Sequence, residues 1–187
     1  IVIKADSNQK VYDGTALTDA GYTYTEGVLA AGDELTAVVE GTITNVGTIA
    51  NKVTSYQVMR GETDVTANYT FGASVDGTLE VTKRPVTLVS QDFSKVYDGT
   101  ALTNNGAALA TETGWATGEG ATYNFTGSQL DPGSSANAFG YTLNSNTKAD
   151  NYEISKTEGT LTVTKVENGI VIKADSNQKV YDGTALT

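Results

Sequence analysis

The nonapeptide Lys10–Thr18, KVYDGTALT, decides how this chain is read, because the same nine letters return at Lys95–Thr103 and again at Lys179–Thr187. The copies begin 85 and then 84 residues apart, a stride close to one small domain and far longer than a solenoid repeat. The last copy reaches further, since Ile170–Thr187 repeats Ile1–Thr18 letter for letter. Two modules, Ile1–Arg84 and Pro85–Asn168, followed by the start of the next repeat at 169–187, are therefore expected. A second division, Asp19–Thr103 and Asn104–Thr187, would make the opening strand complete the preceding module. Pro85 and the Thr-Lys ends of the closing strands favour the first division.

Working outward, Lys10–Tyr12 reads as a short strand and Asp13-Gly14 as a turn, in which Gly supplies a positive φ and Asp bonds its own downstream backbone. Leu17 and Leu102 then return to a core. Upstream, Ile1–Ala5 and Val86–Ser90 alternate apolar and polar residues, as a half-buried strand does. Downstream, Asp19–Ala31 and Asn104–Thr117 differ in length by one residue, the mark of a surface loop. Gly32-Asp33 stands opposite Gly118-Glu119, and Leu35–Glu40 opposite Ala121–Thr126 as a strand. The turns Asn45-Val46-Gly47 and Asp131-Pro132-Gly133 come next. Ile49–Met59 and Ala138–Asn144 give another strand, with Val53, Tyr56, Phe139 and Tyr141 expected inward. Asn68-Tyr69 and Asn151-Tyr152 open a further one, and Gly77–Lys83 and Gly159–Lys165 close each module.

Six or seven short strands per module, separated by Gly, Asn, Asp and Pro turns, predict an all-β chain of tandem antiparallel β-sandwich (Ig-like) modules. The connectors Arg84-Pro85 and Val166–Gly169 are too short for free rotation, so an extended rod is expected. The alternative is a β-grasp-like module, whose helix would have to fall in Asp19–Ala31 and Asn104–Thr117, where Gly and β-branched residues oppose it.

Composition narrows the chemistry. With no Cys and no His in 187 residues, disulfides, Cys- or His-based zinc sites and Ser/His/Asp triads are excluded by inventory. The net charge of −10 is spread evenly and leaves no basic patch, so nucleic acid is not an expected partner. No apolar run approaches the roughly 20 residues that span a bilayer, so no membrane insertion is expected in this segment and anchors are expected outside it.

Together, KVYDGT, the central Gly-Asp and Val-Gly turns, the Asn-Tyr pairs and the closing G-T-L-x-V-T-K resemble the MBG/YDG-type repeats of large bacterial cell-surface adhesins. The likeness covers essentially the whole chain, twice. Pro132 in place of Val46 and Glu119 in place of Asp33 are its small departures. It implies a repetitive stalk or fibre outside the cell, at the bacterial surface or cell wall, with neighbouring repeats as partners and no catalytic residues.

Four candidate chemistries remain. Lys10, Asp13 and Asn68 recur as Lys95, Asp98 and Asn151, the residue types of a Lys–Asn isopeptide bond beside a carboxyl group. The competing assignment is a turn Asp, a solvated Lys and an Asn at a strand start. Trp115, the single Trp, lies in the variable segment where the first module has Tyr22 and Tyr24, and such aromatic faces stack on sugars or cover a core end. Calcium could use Asp6, Asn8 and Asp13, and again Asp175, Asn177 and Asp182, although the second module offers only Asp92 and Asp98; otherwise no cofactor is expected. Scattered carboxylates such as Asp33 and Glu34 do not make an enzyme, and none is expected. The expected function is a structural stalk segment that projects a distal binding domain. The alternatives are modules that themselves bind glycan or mucin, and a self-assembling extracellular filament.

Overall fold

A computed structural model describes residues 1–25, 28–167 and 169–187. Glu26 and Gly27, in the segment expected to be a variable loop, and Asn168, in the expected second connector, lie outside the described residues. The strands in chain order are β1 (Ile3–Ala5), β2 (Asn8–Val11), β3 (Tyr22–Tyr24), β4 (Asp33–Glu40), β5 (Gly47–Arg60), β6 (Thr63–Asp64), β7 (Gly77–Thr82), β8 (Arg84–Val89) and β9 (Phe93–Val96). They continue as β10 (Leu102–Thr103), β11 (Thr111–Thr113), β12 (Ala121–Phe125), β13 (Ser128–Gln129), β14 (Gly133–Ala136), β15 (Phe139–Leu143), β16 (Tyr152–Thr157) and β17 (Thr160–Thr164). The chain is all-β. Among the described residues the only helical turns are two short 3-10 pieces, Thr66–Asn68 and Ala149–Asn151.

Among the described residues no strand ladder crosses Lys83. On its N-terminal side, β1 pairs antiparallel with β3, and Lys4 bridges Val75 in parallel. There β7 lies between β2, which runs parallel to it, and the start of β5, which runs antiparallel. The far half of β5 pairs with β4 and β6. On the C-terminal side β8 lies between β11, antiparallel, and β16, parallel, while β17 lies between β14, antiparallel, and β9, parallel. Two further ladders, β10 with β13 and β12 with β15, complete it.

The purely antiparallel expectation is thus corrected: β2/β7, β8/β16 and β9/β17 are parallel. Parallel neighbours need a crossover rather than a tight hairpin. The Asp13-Gly14 turn accordingly does not fold the chain back along β2. It sends the chain on to Leu17, whose N–H and C=O both bond Ile43. The β-grasp alternative is also corrected for its second position, because Asn104–Thr117 holds β11 and turns and no helix.

Alternation explains the core. Leu79 and Val81 of β7, Val86 and Leu88 of β8, and Leu161 and Val163 of β17 all point inward. In β5 the phase changes. Val39 opposes Val53 and Val38 opposes Ser55, so Thr54 is an extra residue that flips the parity of the rest of the strand. Beyond it Tyr56 and Val58 share one face: Val58 is buried, while Tyr56, expected inward, is exposed and stacks on Phe71 with ring centroids 4.2 Å apart. Tyr141 is likewise exposed, although Phe139 is buried as expected.

Two clusters result. Ile3, Leu35 and Val58 form one, with Tyr22, Tyr24 and Phe71 against it. The other draws on both sides of Lys83: Tyr12, Leu17, Leu79 and Val81 pack with Val86, Leu88, Ala116, Phe139 and Tyr152.

Candidate functional site: the junction at Lys83

The shared cluster is roofed by a polar lattice built from residues far apart in sequence. Tyr12, held just beyond β2 by its N–H bond to Thr82, donates its hydroxyl to Glu119 Oε1 at 2.5 Å. Tyr152, opening β16, donates to Glu119 Oε2 at 2.7 Å, and its oxygen accepts the Ala116 N–H at 3.2 Å. One carboxylate therefore holds a tyrosine from each side. Charge-assisted bonds of this kind are roughly twice as strong as neutral ones. Both phenols hold their protons more tightly than usual: donation to Glu119 and then burial raise Tyr12, and burial and then donation to Glu119 push Tyr152 up to about 12.

The rings complete the contact. Tyr152 meets Tyr12 edge-on at 5.5 Å and Trp115 edge-on at 5.0 Å. Asn151, fully buried, accepts the Val46 N–H at 2.9 Å and donates to Asn45 Oδ1 at 3.0 Å. Arg84, expected as a linker residue, is instead the first residue of β8, and its guanidinium bonds the Tyr12 carbonyl on one side and the Gly114 carbonyl on the other. Lys83 alone separates β7 from β8.

A related trio lies in the N-terminal half. Tyr69 donates to Asp33 Oδ2 at 2.6 Å and accepts the Ala30 N–H at 2.9 Å. Here the third partner is Arg60, whose fork reaches the two Asp33 oxygens at 2.5 and 3.0 Å. Arg60 and then Tyr69 hold the Asp33 carboxyl below its ordinary range.

In the sequence Asp33 aligns with Glu119 and Tyr69 with Tyr152, yet their local surroundings assign them no part in a junction, and the same holds for Arg84 and Arg60. The recurrence of an acid and a tyrosine at matching positions is the one signal that could have found them.

The residues singled out from sequence are distributed as follows. Lys10 Nζ bonds Asp13 Oδ1 at 2.7 Å, together with the Thr15 carbonyl and hydroxyl. Lys95 bonds Asp98 and the Thr100 hydroxyl in a similar way. Both aspartates also accept the N–H two residues on, so Lys, then Thr, depress both carboxyls. Asn68 is not brought to Lys10: it is exposed at the end of a 3-10 turn, while Asn151 spends its amide at the junction. Trp115 is half-buried and its Nε1 donates to Glu112, whereas Tyr22 and Tyr24 belong to the other cluster, with Tyr22 donating to the Leu35 carbonyl. Of the calcium candidates, Asn8 bonds Asp19 and Asp13 bonds Lys10. Among the described residues no group of three or more acidic side chains is placed to hold a metal ion.

The shallow clefts among the described residues include one of about 460 Å³ along Thr18–Ala20 and Val39–Thr42 and one of about 420 Å³ along Thr103–Gly106 and Phe125–Ser128. Trp115, Tyr22 and Tyr24 line neither. Among the described residues, no helix is long and apolar enough to cross a membrane. No family model matches the chain, and no curated protein or solved structure matches it significantly.

Proposed function

We propose that this chain is a structural segment of a bacterial surface adhesin or fibre, in which sandwich modules, 1–84 and 85–168, stand in a row and hold a distal binding domain away from the cell. The resemblance of the repeated KVYDGT and G-T-L-x-V-T-K motifs motivates the surface setting. The observation that carries the mechanical reading is the bracing of the junction. A spacer is useful only if its units do not swivel, and here Glu119 grips Tyr12 and Tyr152 together while Asn151 and Arg84 add further bonds across the junction. A single residue between β7 and β8 leaves no slack for rotation about the connection.

Small-angle X-ray scattering of the intact chain and of Glu119→Ala tests the reading. A stiff, elongated particle that becomes more flexible in the variant is expected. A compact particle, or a wild-type chain already as flexible as the variant, would remove the stalk.

A further inference from the structure

Both halves hold the same cleft. In the N-terminal half it runs along Thr18–Ala20 and Val39–Thr42, and in the C-terminal half along Thr103–Gly106 and Phe125–Ser128. When the halves are aligned, Thr18 and Asp19 match Thr103 and Asn104, Val39 matches Phe125, and Gly41 matches Gly127. The volumes of about 460 and 420 Å³ lie in the range of small-molecule sites.

Behind each floor glycine stands a fully buried asparagine. Asn51 donates to the Asp6 carbonyl at 2.9 Å and the Asp19 carbonyl at 3.0 Å, and Asn137 donates to the Gln91 carbonyl and to Asn104 Oδ1, both at 2.9 Å. Both amide nitrogens are thereby occupied, while neither Oδ1 has a partner. A Cβ on Gly41 would sit 2.8 Å from Asn51 Oδ1, and one on Gly127 2.8 Å from Asn137 Cα, so glycine alone lets each floor lie against its asparagine. A buried polar atom without a partner is destabilising. A hydroxyl that reaches the floor is the donor this arrangement lacks.

The walls supply more of the same chemistry. Exposed Thr18 and Thr42 line the first cleft with Asp19 and Glu40, and exposed Thr103, Thr126 and Ser128 line the second with Asn105. Buried Val39 and half-buried Phe125 give each cleft an apolar side. Hydroxyl, carboxylate and amide groups around one apolar surface complement a ligand with hydroxyls at its rim and C–H bonds on its face, which describes a sugar ring. The first cleft carries two carboxylates and the lining of the second none, so a ligand common to both is uncharged. The walls are also fixed beforehand. Asp19 accepts the Gly21 N–H at 2.7 Å and Asn8 Nδ2 at 3.0 Å, and the Asn104 carbonyl accepts the Ala107 N–H at 3.0 Å. Little ordering therefore opposes binding.

We infer that the two clefts are matched binding sites for a neutral saccharide, one in each half. The C–H face of the sugar lies on Val39 or Phe125, and its hydroxyls bond the Thr, Asp and Asn side chains of the walls. This goes beyond a purely mechanical segment, because the chain then holds glycan along its own length. Each shallow cleft binds weakly alone, and the pair engages a sugar-coated surface together.

The test uses the full-length, isotope-labelled chain with N-acetylglucosamine and methyl galactoside as neutral probes and glucuronic acid as the anionic one. With at least one neutral sugar, the amide resonances of Gly41 and Thr42 and those of Gly106 and Gly127 should shift saturably in the millimolar range. Glucuronate should leave Gly41 and Thr42 unmoved. Ala20→Trp and Thr126→Trp replace exposed side chains on the cleft walls, and each should abolish the shifts of its own half while sparing the other. Thr42→Trp and Ser128→Trp repeat the test from the opposite walls, and an unchanged melting temperature shows the fold intact. On a surface coated with the same sugar, each single variant should lose at least about tenfold in binding, and the double variant all of it. No shift with either neutral sugar, shifts confined to one half, or shifts that persist in the filled clefts overturn the proposal.

Discussion

Tyr12 and Tyr97 hold the same place in the repeated nonapeptide, yet Tyr12 is 4% exposed and Tyr97 39% exposed. The turns around them are alike: in Lys10–Asp13–Thr15 and Lys95–Asp98–Thr100 the lysine bonds the aspartate and the aspartate accepts the threonine N–H. What differs is the company beyond the turn. Tyr12 is covered by Glu119 and Tyr152, with Trp115 against the far edge of Tyr152. The motif is a local unit, and its tyrosine becomes core only where a neighbouring half is laid on it.

If that cover stabilises both halves, removing its acceptor should be costly. Glu119→Ala leaves the hydroxyls of Tyr12 and Tyr152 without their partner and should lower stability by about 2–3 kcal/mol, whereas Tyr12→Phe should cost about 1–2 kcal/mol. Urea unfolding followed by Trp115 emission reads both. A double-mutant cycle of Tyr12→Phe with Glu119→Gln should give a coupling of about 1 kcal/mol or more. A coupling of zero would show that the two side chains do not act on one another.

The same pair sets an alkaline limit. Tyr152 titrates at about 12 and Tyr12 is also raised, against about 10 for a tyrosine in an unfolded chain. The folded state holds these protons more tightly, so their contribution is fully present below a pH of about 10 and is lost as pH rises through about 12. Ultraviolet titration of tyrosinate should show a late-titrating group, to which Tyr123, also at about 12, contributes. Glu119→Gln should bring the Tyr152 fraction earlier; an unchanged curve would mean that Glu119 does not face these phenols.

At the acid end the turn aspartates take over. Donation by Lys179, then by Thr184, lowers Asp182 to about 2, and equivalent bonds depress Asp13 and Asp98. A depressed carboxyl contributes stability above its unfolded value of about 4, and that contribution fades as pH falls through the folded value. The Thr184 amide resonance should therefore shift with a midpoint near about 2. A midpoint near about 4, the value of a free aspartate, would show the turn of the duplicate segment unformed.

Two glycines should tolerate no side chain. A Cβ on Gly77 would sit 2.0 Å from the Asp6 carbonyl oxygen, and one on Gly159 2.4 Å from that of Gln91, because the closing strand of each half starts directly against the opening segment. Gly77→Ala and Gly159→Ala should each cost about 2–3 kcal/mol through forced backbone shifts. Gly140→Ala, which meets nothing within 4 Å, is the control and should be nearly neutral. Equal melting temperatures for all three would contradict this close approach.

The strands were legible because alternation is a local property: Gly77–Thr82 and Thr160–Thr164 place a buried residue at every second position as their letters suggest. Direction was not, since an alternating strand pairs equally well either way and only the path of the whole chain makes β2 and β7 parallel. The parity flip at Thr54 escaped for a related reason: an extra residue in a ladder is defined by its partner strand, and nothing in Ile49–Met59 announces it. In the sequence Glu119 is only the counterpart of Asp33 in the central Gly-Asp turn. Its role depends on Tyr12, 107 positions away, so no window of sequence contained the pair.

The parallel ladders carry one last consequence. In the N-terminal half β2 enters early and β7 leaves last, side by side and pointing the same way, as do β9 and β17 in the C-terminal half. A pull that draws the chain out from both ends slides such neighbours past each other, so their hydrogen bonds must yield together in shear. Antiparallel neighbours pulled from adjoining ends would unzip one bond at a time. The parallel pairing that sequence alone left unread therefore gives each half a clamp against tension.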